Sequence, residues 1–213
     1  MLRVGLTGGI ACGKSTVATY LRKLDIPILD ADVLAHGMLK SGQPAYHEAI
    51  REFGAEILDT EKEIDRAKLG AIVFADRERL ERLNRMIHPR VMEVSVNWFA
   101  SLDRPGGPAF AVIEAALLVE AGYRDKLNRL IVVRCRPDQQ IERLRARGLG
   151  EAHALQRINA QMPIDEKAAL ADDVIDTSGS LEESERQVRE LVGKLDRLAD
   201  APVARDDSPR SAT

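Results

Sequence analysis

Residues 8–15 have the types and the spacing that could bind the phosphates of a nucleotide. They read Gly-Gly-Ile-Ala-Cys-Gly-Lys-Ser, which fits the G-x-x-x-x-G-K-[ST] pattern of a phosphate-binding loop. Glycines allow the backbone to curl until successive N–H groups face an anion, and the N-terminus of a following helix adds positive charge. The pattern therefore predicts a phosphate loop at residues 8–15.

Two side chains of the phosphate loop suit phosphoryl transfer. Lys14 supplies a cation for the β- and γ-phosphates, and Ser15 offers a hydroxyl oxygen to Mg²⁺. Cys12 lies inside the loop, where a helix N-terminus can lower the pKa of a thiol. Its expected contribution to phosphate binding is its backbone N–H. We therefore predict a catalytic role for Lys14 and a metal-ligand role for Ser15, with ATP and Mg²⁺ as ligands.

Phosphoryl transfer also needs an acceptor hydroxyl and a group that takes its proton. A carboxylate can act as that base, and Asp30 and Asp32 follow a short apolar run, Ile26–Leu29. Asp32 is our candidate for the base, although an aspartate in this place is equally typical of a helix N-cap. Asp30 would orient a water molecule on Mg²⁺ or cap the following helix.

Other polar residues stand where a second substrate or the metal could be bound. His88 precedes Pro89, and since proline disfavours helical geometry in the residue before it, we predict a helix boundary at His88. A structural role and a binding role both stay open for this histidine. Glu114 ends an apolar run, where a carboxylate can hold Mg²⁺ through water. The segment after Pro137 is rich in arginine, with Arg143, Arg145, Arg147 and Arg157.

The elements that must position these residues alternate between short apolar runs and longer helical patterns. The predicted strands are Leu2–Thr7, Ile26–Leu29, Ala109–Glu114, Arg129–Arg134 and Val174–Ile175. Their wide spacing, with helices between them, is typical of a parallel sheet covered on both faces. We predict an α/β protein with a doubly wound, five-stranded parallel sheet, whose ligands bind at the carboxyl ends of the strands.

We divide the chain into four regions. Residues 1–30, 108–136 and 172–199 form the nucleotide-binding core, and residues 31–107 form a helical region that is expected to bind the acceptor. Residues 137–171 are expected to form a lid, made of a helix, a turn and a second helix. Ser180 and Glu183 predict a capping box at the start of the last helix, and residues 200–213 are expected to be a disordered tail.

Composition limits the partners. The 213 residues carry a net charge of −3, which gives no sign of a nucleic-acid partner. No apolar stretch approaches the ~20 residues of a membrane span, so no membrane partner is expected, and the N-terminus has no signal-peptide pattern. Cys12 and Cys135 lack metal-ligand spacing and are expected to be reduced thiols. We therefore expect a cytoplasmic protein.

Asp30-Ala31-Asp32, His88-Pro89 and Leu117-Leu118-Val119-Glu120-Ala121-Gly122 follow the phosphate loop in this order. With these motifs, and along almost the whole length before the predicted tail, the chain resembles the dephospho-coenzyme A kinases, a family of phosphate-loop kinases. The phosphate loop alone is shared by many kinases, whereas Asp-Ala-Asp, His-Pro and Leu-Leu-x-Glu-x-Gly in this order are specific. The resemblance rests on Val4–Thr16, Asp30-Ala31-Asp32, Ile87-His88-Pro89, Leu117–Gly122, Gln161-Met162-Pro163 and Ala171–Asp176.

This resemblance implies phosphoryl transfer from ATP to the ribose 3′-hydroxyl of dephospho-coenzyme A, the last step of coenzyme A biosynthesis. Asp32 would be the base. The residues that would contact ATP are Arg147 from the lid and Gly9, Ala11, Cys12, Gly13, Lys14, Ser15 and Thr16. The residues that would hold the acceptor are Asp32, Arg66, His88, Leu118 and Glu120.

Two places depart from the family pattern. Glu114-Ala115-Ala116 stands where the family has Asp-x-Pro, which leaves metal contact by Glu114 open, and Thr177 replaces an asparagine, which leaves an adenine contact open. Three other functions also stay open. They are another nucleoside or nucleotide kinase, a GTPase-type switch suggested by Asp176-Thr177-Ser178-Gly179, and a phosphate-binding module without turnover.

Overall fold

One parallel sheet of five strands organises the chain in the computed structural model, which describes residues 1–201, the side chain of Phe74 excepted. The strands are β1 (Leu2–Gly8), β2 (Ile28–Asp30), β3 (Phe110–Glu114), β4 (Arg129–Arg134) and β5 (Asp173–Asp176). They lie in the order β2-β3-β1-β4-β5, and every neighbouring pair is parallel. This arrangement confirms the predicted doubly wound α/β fold.

Helices connect the strands and cover both faces of the sheet. They are α1 (Lys14–Lys23), α2 (Ala31–Met38), α3 (Pro44–Phe53), α4 (Arg66–Phe74), α5 (Arg77–Leu102), α6 (Pro137–Ala146), α7 (Glu151–Asn159), α8 (Ile164–Ala169) and α9 (Leu181–Asp200). Short 3₁₀ helices at Ala55–Ile57 and Arg124–Lys126 lie between them.

Alternating side chains of the strands fill a core on each face of the sheet. On β4, Ile131 and Val133 pack in the first core with α1 and α9. Leu130 and Val132 point the other way and pack in the second core with α2, α5 and α8. All four side chains are fully buried, which is the pattern of a parallel strand covered on both faces.

The register of the strands brings the carboxyl ends of β1, β2 and β3 to one edge of the sheet. Glu114, the last residue of β3, pairs with Leu6 of β1 on one side and with Asp30 of β2 on the other. The segment after β3 packs closely on β1, because a Cβ at Gly5 would lie 2.5 Å from the side chain of Leu118. Residues that follow β2 therefore approach the phosphate loop across the end of β3.

Two smaller apolar clusters lie outside these cores. In residues 137–171, the segment predicted to be a lid and called the lid below, Leu144 and Ala154 pack against Ala11 of the phosphate loop. The lid contains α6, α7 and α8 rather than the two helices predicted, because Pro163 starts a further short helix as its N-cap. The helical region between β2 and β3 has a cluster of its own, formed by Ala49, Phe53, Ile57, Leu69 and Val73.

Helix α5 runs without interruption through Pro89, and the predicted helix boundary at His88 is wrong. A proline in a helix interior removes a hydrogen bond and costs about 3 kcal/mol. Packing outweighs this cost, because Ile87 and Val91 on either side of the proline are buried in the second core. The guanidinium of Arg90 also donates to a carbonyl oxygen in the turn before the proline.

The last helix, α9, begins as predicted. The hydroxyl of Ser180 accepts the N–H of Glu183, and the Glu183 carboxylate accepts the N–H of Ser180, which completes the capping box. Of the predicted tail, residues 202–213 lie outside the described residues. Within residues 1–201, no helix combines the length and the apolar composition that crossing a bilayer requires.

Candidate active site

The phosphate loop leaves β1 and curls directly into α1. Ala11 and Gly13 have positive φ angles of 60° and 84°, a conformation that glycine adopts without steric cost. At Gly13 a Cβ would also lie 3.3 Å from the hydroxyl oxygen of Thr177. In the described part of the chain no side chain caps α1, so the first N–H groups of this helix can bind an anion.

Two glutamines of the lid hold the loop at Ile10. Gln140 of α6 donates its side-chain amide to the carbonyl oxygen of Ile10 at 2.7 Å. Gln161, which follows α7, accepts the N–H of Ile10 at 2.9 Å. Both polar groups of one loop residue are therefore bonded to the lid.

Arg143 and Thr177 hold the next two carbonyl oxygens of the loop. Arg143 donates to the carbonyl oxygen of Ala11 at 3.3 Å, and the hydroxyl of Thr177 donates to that of Cys12 at 2.8 Å. Arg143 also donates to the carbonyl oxygen of Thr177 at 2.8 Å. Because Thr177 is buried and engaged in this way, its side chain supports the loop rather than facing solvent.

The backbone N–H of Cys12, which we predict to contact phosphate, has a partner within the loop in this structure. That N–H donates to the carbonyl oxygen of Gly9 at 3.1 Å, and the buried thiol lies 3.2 Å from the sulfur of Cys135. The thiol pKa is not lowered by the helix N-terminus. A hydrogen bond with Cys135, together with burial, raises the pKa of Cys12 above its ordinary value. Cys12 therefore helps to shape the loop.

The carboxylate of Asp32 lies beside the phosphate loop. Lys14 Nζ is 3.6 Å from Asp32 Oδ2, and Asp32 occupies the first turn of α2. The N-cap of that helix is Asp30, whose carboxylate accepts the N–H of Val33 at 2.9 Å. The capping role thus belongs to Asp30, and Asp32 directs its carboxylate toward the lysine.

The backbone of Ala116 orients this carboxylate. Its N–H donates to Asp32 Oδ2 at 3.2 Å. Its carbonyl oxygen accepts the hydroxyl of Thr7 at 3.1 Å and the ammonium of Lys167 at 3.0 Å. The Lys167 side chain is 0% exposed, and its ammonium also pairs with Glu120 Oε1 at 2.8 Å. A buried cation therefore fixes the carbonyl group of the residue whose N–H holds Asp32.

Our sequence-based candidates did not include Lys167, although the pattern around it carried a signal. Ile164 lies one turn before Lys167 on α8 and packs in the second core, as do Ala168 and, just beyond the helix, Ala171. A lysine on an apolar helical face is unusual, since a buried ammonium group needs polar partners. The partners themselves, Ala116 and Glu120, are distant in sequence and were not apparent from it.

Asp30 and Glu114 form a carboxyl pair at the ends of β2 and β3. Burial raises the pKa of Glu114, and Asp30 adds to this rise against the opposing charges of Lys14 and Arg22. For Asp30 the hydrogen bonds from the Val33 N–H and from Glu114 outweigh burial and lower the pKa. Glu114 Oε1 accepts from the Arg22 guanidinium at 3.1 Å, whereas Glu114 Oε2 is buried without a hydrogen-bond partner among the described residues.

A cavity of about 430 Å³ opens beside Glu120. It brings together two residues predicted to hold the acceptor, His88 and Glu120, and burial lowers the pKa of His88, which favours its neutral form. Asn84 and Arg85 also line it but were missed, because the helix boundary predicted at His88 concealed that they lie one turn before it. The lining residues are Glu81, Asn84, Arg85, His88, Pro89 and Glu120.

Three other predicted residues lie apart from the cavity lining. The side chain of Leu118 is 1% exposed and packs in the second core, so we no longer assign it to acceptor binding. Arg66 is the exposed first residue of α4, and its charge, after burial, helps to lower the pKa of His36 on α2. Arg147 is exposed at the end of α6.

Oxygen donors suited to Mg²⁺ lie at the opening of the phosphate loop. Ser15 is exposed in the first turn of α1, and the Asp32 carboxylate stands opposite the loop lysine. Within residues 1–201, no three acidic, histidine or cysteine side chains converge into a metal site. Mg²⁺ is commonly held by one or two protein oxygens together with substrate phosphates, so this donor set fits an ion that arrives with a nucleotide.

The chain is similar to known kinases in sequence and in structure. The family model for dephospho-CoA kinase matches residues 2–183. The dephospho-CoA kinase of Geobacter metallireducens is 45% identical over 189 residues, which are 88% of this chain and 94% of that protein. The solved dephospho-CoA kinase from Campylobacter jejuni has a TM-score of 0.68 at 26% identity, over 92% of this chain and 97% of that chain.

A more distant neighbour shares the fold alone. The shikimate kinase from Bacteroides thetaiotaomicron is 14% identical, with a TM-score of 0.50 over 90% of this chain and 98% of that chain. The match of the family model and the 45% identity to a curated relative extend along most of the sequence. The chain therefore belongs to the dephospho-CoA kinase family.

Proposed function

We propose that the chain transfers the γ-phosphoryl group of ATP to the ribose 3′-hydroxyl of dephospho-coenzyme A, which gives coenzyme A and ADP. The observation that carries this proposal is the 3.6 Å separation between Lys14 Nζ and Asp32 Oδ2. Lys14 belongs to the phosphate loop, and Asp32 is our candidate base. The transferred group and the acceptor hydroxyl would therefore meet at one point, as phosphoryl transfer requires.

On the donor side, backbone N–H groups bind the phosphates. The curl at Ala11 and Gly13 exposes the N–H groups that open α1, while side chains outside the loop hold its carbonyl oxygens. Repulsion between a phosphate and those oxygens is thereby reduced. Lys14 would exchange its contact with Asp32 for the β- and γ-phosphates, and Gly9, Ser15 and Thr16 would complete the ATP site.

On the acceptor side, Asp32 takes the proton of the 3′-hydroxyl. The N–H of Ala116 holds Asp32 Oδ2, which leaves Oδ1 to accept that proton as the hydroxyl oxygen attacks phosphorus. Lys167 acts as a positioning residue, since it fixes the carbonyl group of Ala116, the residue whose N–H holds Asp32. His88, Glu120 and Arg66 would hold the remainder of the acceptor.

Mg²⁺ and the lid complete the proposed site. Ser15 would ligate the ion together with phosphate oxygens, and the bound ion would neutralise charge on the phosphates. Arg147 would approach ATP from the lid. Closure of the lid would exclude water, so we expect little ATP hydrolysis when no acceptor is present.

An assay of ADP release with several acceptors tests this function. We expect turnover with ATP and dephospho-coenzyme A, and little with ATP and adenosine or a mononucleotide. Product mass should show one added phosphate on the acceptor. Equal turnover with adenosine would indicate a general nucleoside kinase, and turnover of GTP without an acceptor would indicate a switch.

The GTPase-type alternative has little support in the geometry. Its suggested motif begins at Asp176, but the carboxylate of that residue pairs with Arg134 at 3.0 Å and accepts the N–H of Ser178 at 2.9 Å. Thr177 in the same motif supports the phosphate loop.

We also propose a cytoplasmic location, on the basis of composition and of two cysteines in the thiol form.

A further inference from the structure

Cys12 and Cys135 are distant in sequence but adjacent in space. Their sulfur atoms lie 3.2 Å apart, and both residues are free, buried thiols. Cys12 belongs to the phosphate loop that follows β1, and Cys135 directly follows β4. Because β1 and β4 are paired up to Gly8 and Val133, the sheet itself holds the two thiols together.

We infer that Cys12 and Cys135 form an oxidisable dithiol site, which a small-molecule disulfide converts reversibly into an intramolecular disulfide. The sulfur atoms need to approach by roughly 1 Å, since a disulfide bond is about 2.05 Å long. Disulfides in cytosolic proteins are rare and are usually transient, with catalytic or redox-sensing roles. A pair of thiols beside a nucleotide site fits the second of these roles.

Cys135 is the attacking residue of the pair. The hydrogen bond shared with Cys12 lowers the pKa of Cys135, and the charge of Arg143 lowers it further against the effect of burial. The proton is accordingly kept by Cys12, whose own pKa is raised. Cys135 is also the more accessible residue, at 6% exposure against 0% for Cys12.

The reaction proceeds by two exchanges. The Cys135 thiolate attacks one sulfur of the small-molecule disulfide, whose S–S bond breaks and releases the first thiolate. Cys12 then attacks the Cys135 sulfur of this mixed disulfide and expels the second, and the Cys12 proton passes to a released thiolate. Both cysteines are thereby oxidised, and the small molecule is reduced to two thiols.

The new bond would distort the phosphate loop. Cys12 donates its N–H to Gly9 and accepts from Thr177 through its carbonyl oxygen, so a displacement of its side chain strains both contacts. The neighbouring residue Gly13 opens α1, where the phosphates are proposed to bind. A misplacement of about 1 Å in an active site can lower the reaction rate roughly 10²-fold. The effect on ATP rests on the proposed function, whereas the dithiol site does not.

Treatment of the full chain with glutathione disulfide tests the inference. Peptide mass mapping should show Cys12 bonded to Cys135, and ATP Kd measured by calorimetry should rise about 10–100-fold. Dithiothreitol should reverse both changes. Cys135→Ser should keep the reduced protein's ATP Kd and become insensitive to oxidation. Cys135→Ala provides a second test if the serine variant is unstable.

Several results would overturn the inference. Two free thiols after treatment, or mixed disulfides that persist at either cysteine, would exclude the intramolecular bond. A mapped Cys12–Cys135 bond with an unchanged ATP Kd would refute its effect on the loop. The kinase assay of the reduced protein is run in parallel, and failure to phosphorylate dephospho-coenzyme A there would contradict the proposed function while leaving the mapping result intact.

Discussion

Asp32 is held on one side by two groups that attract its negative charge. One of its oxygens accepts a backbone N–H and lies 3.6 Å from the Lys14 ammonium. A carboxylate fixed in this way needs little reorganisation when an acceptor hydroxyl arrives, because its direction is already set. The residue that sets this direction, Ala116, is itself fixed by Thr7 and Lys167.

Replacement of the candidate base should reduce chemistry more than binding. Asp32→Asn keeps the shape of the side chain but removes its basicity, so we expect kcat to fall by roughly 10²–10⁴. ATP Kd should change little. The matched control is Asp76→Asn, which makes the same change at the N-cap of α5 and should leave kcat unaltered. A threefold or smaller change in the first variant, measured by steady-state kinetics, would exclude Asp32 as the base.

Replacement of Lys167 should impair the reaction of the acceptor and leave the binding of ATP nearly unchanged. Lys167→Met removes the cation that fixes Ala116 and leaves Glu120 without its partner. We expect lower kcat, a higher acceptor KM, an ATP KM that stays close to wild type, and a loss of about 3–5 kcal/mol in unfolding free energy.

A double variant separates stability from positioning. Adding Glu120→Gln removes the unpaired carboxylate and should restore part of the stability, without restoring kcat. If kcat returned together with the unfolding free energy, Lys167 would be structural only. A normal kcat in Lys167→Met alongside a large loss in Asp32→Asn would reject the positioning role and keep the base.

At the scale of elements, packing of α5 outweighs the tendency of Pro89 to interrupt a helix. The helix continues through Pro89 because the residues beside it are buried in the second core. The same stretch supplies Asn84, Arg85, His88 and Pro89 to the cavity. A helical turn that lacks one backbone hydrogen bond therefore lies where the acceptor is proposed to bind.

Replacement of Pro89 should make the protein more stable and weaken its binding of the acceptor. Pro89→Ala restores a helical N–H donor, so we expect the unfolding free energy to rise by about 1–3 kcal/mol. Acceptor KM should rise, since the turn that carries His88 would shift. Pro44→Ala is the control, because Pro44 is at the start of α3, where proline is favourable. Chemical denaturation of both variants checks this, and a less stable Pro89→Ala would contradict it.

At the scale of the whole molecule, the buried carboxyl pair couples stability to pH. The pKa of Glu114 is raised above its ordinary 4.5, chiefly by burial. A raised folded-state pKa contributes stability that is full below the unfolded pKa and is lost as pH rises through the folded one. Wild type should therefore lose stability relative to Glu114→Gln as pH increases from about 5 to 8.

Denaturation curves across that range measure the effect. The difference in unfolding free energy between Glu114→Gln and wild type should grow in favour of the variant as pH rises. Glu142→Gln, on the exposed surface of α6, should follow the wild-type pH profile. A difference that stayed constant with pH would show that Glu114 is not perturbed.

Most of the fold was predictable because its signals are local. The strands are short apolar runs, and the phosphate loop has a fixed spacing, so both could be located from neighbouring residues alone. Lys167, Thr177 and the pair of cysteines could not be, because their roles come from contacts between distant segments. Pro89 was misjudged for the same reason, since burial beyond the helix decides its conformation.

The bonds of Ile10 with Gln140 and Gln161 restrict how the nucleotide can enter and leave. Gln140 lies in the first half of α6 and Gln161 lies just after α7. Both ends of this helical hairpin are therefore hydrogen-bonded to the phosphate loop. A rigid-body rotation of the hairpin would break these hydrogen bonds and distort the phosphate loop. We expect the turn at Gly148–Gly150 to move instead, so that ADP can leave past this turn while the phosphate loop keeps its conformation for the next turnover.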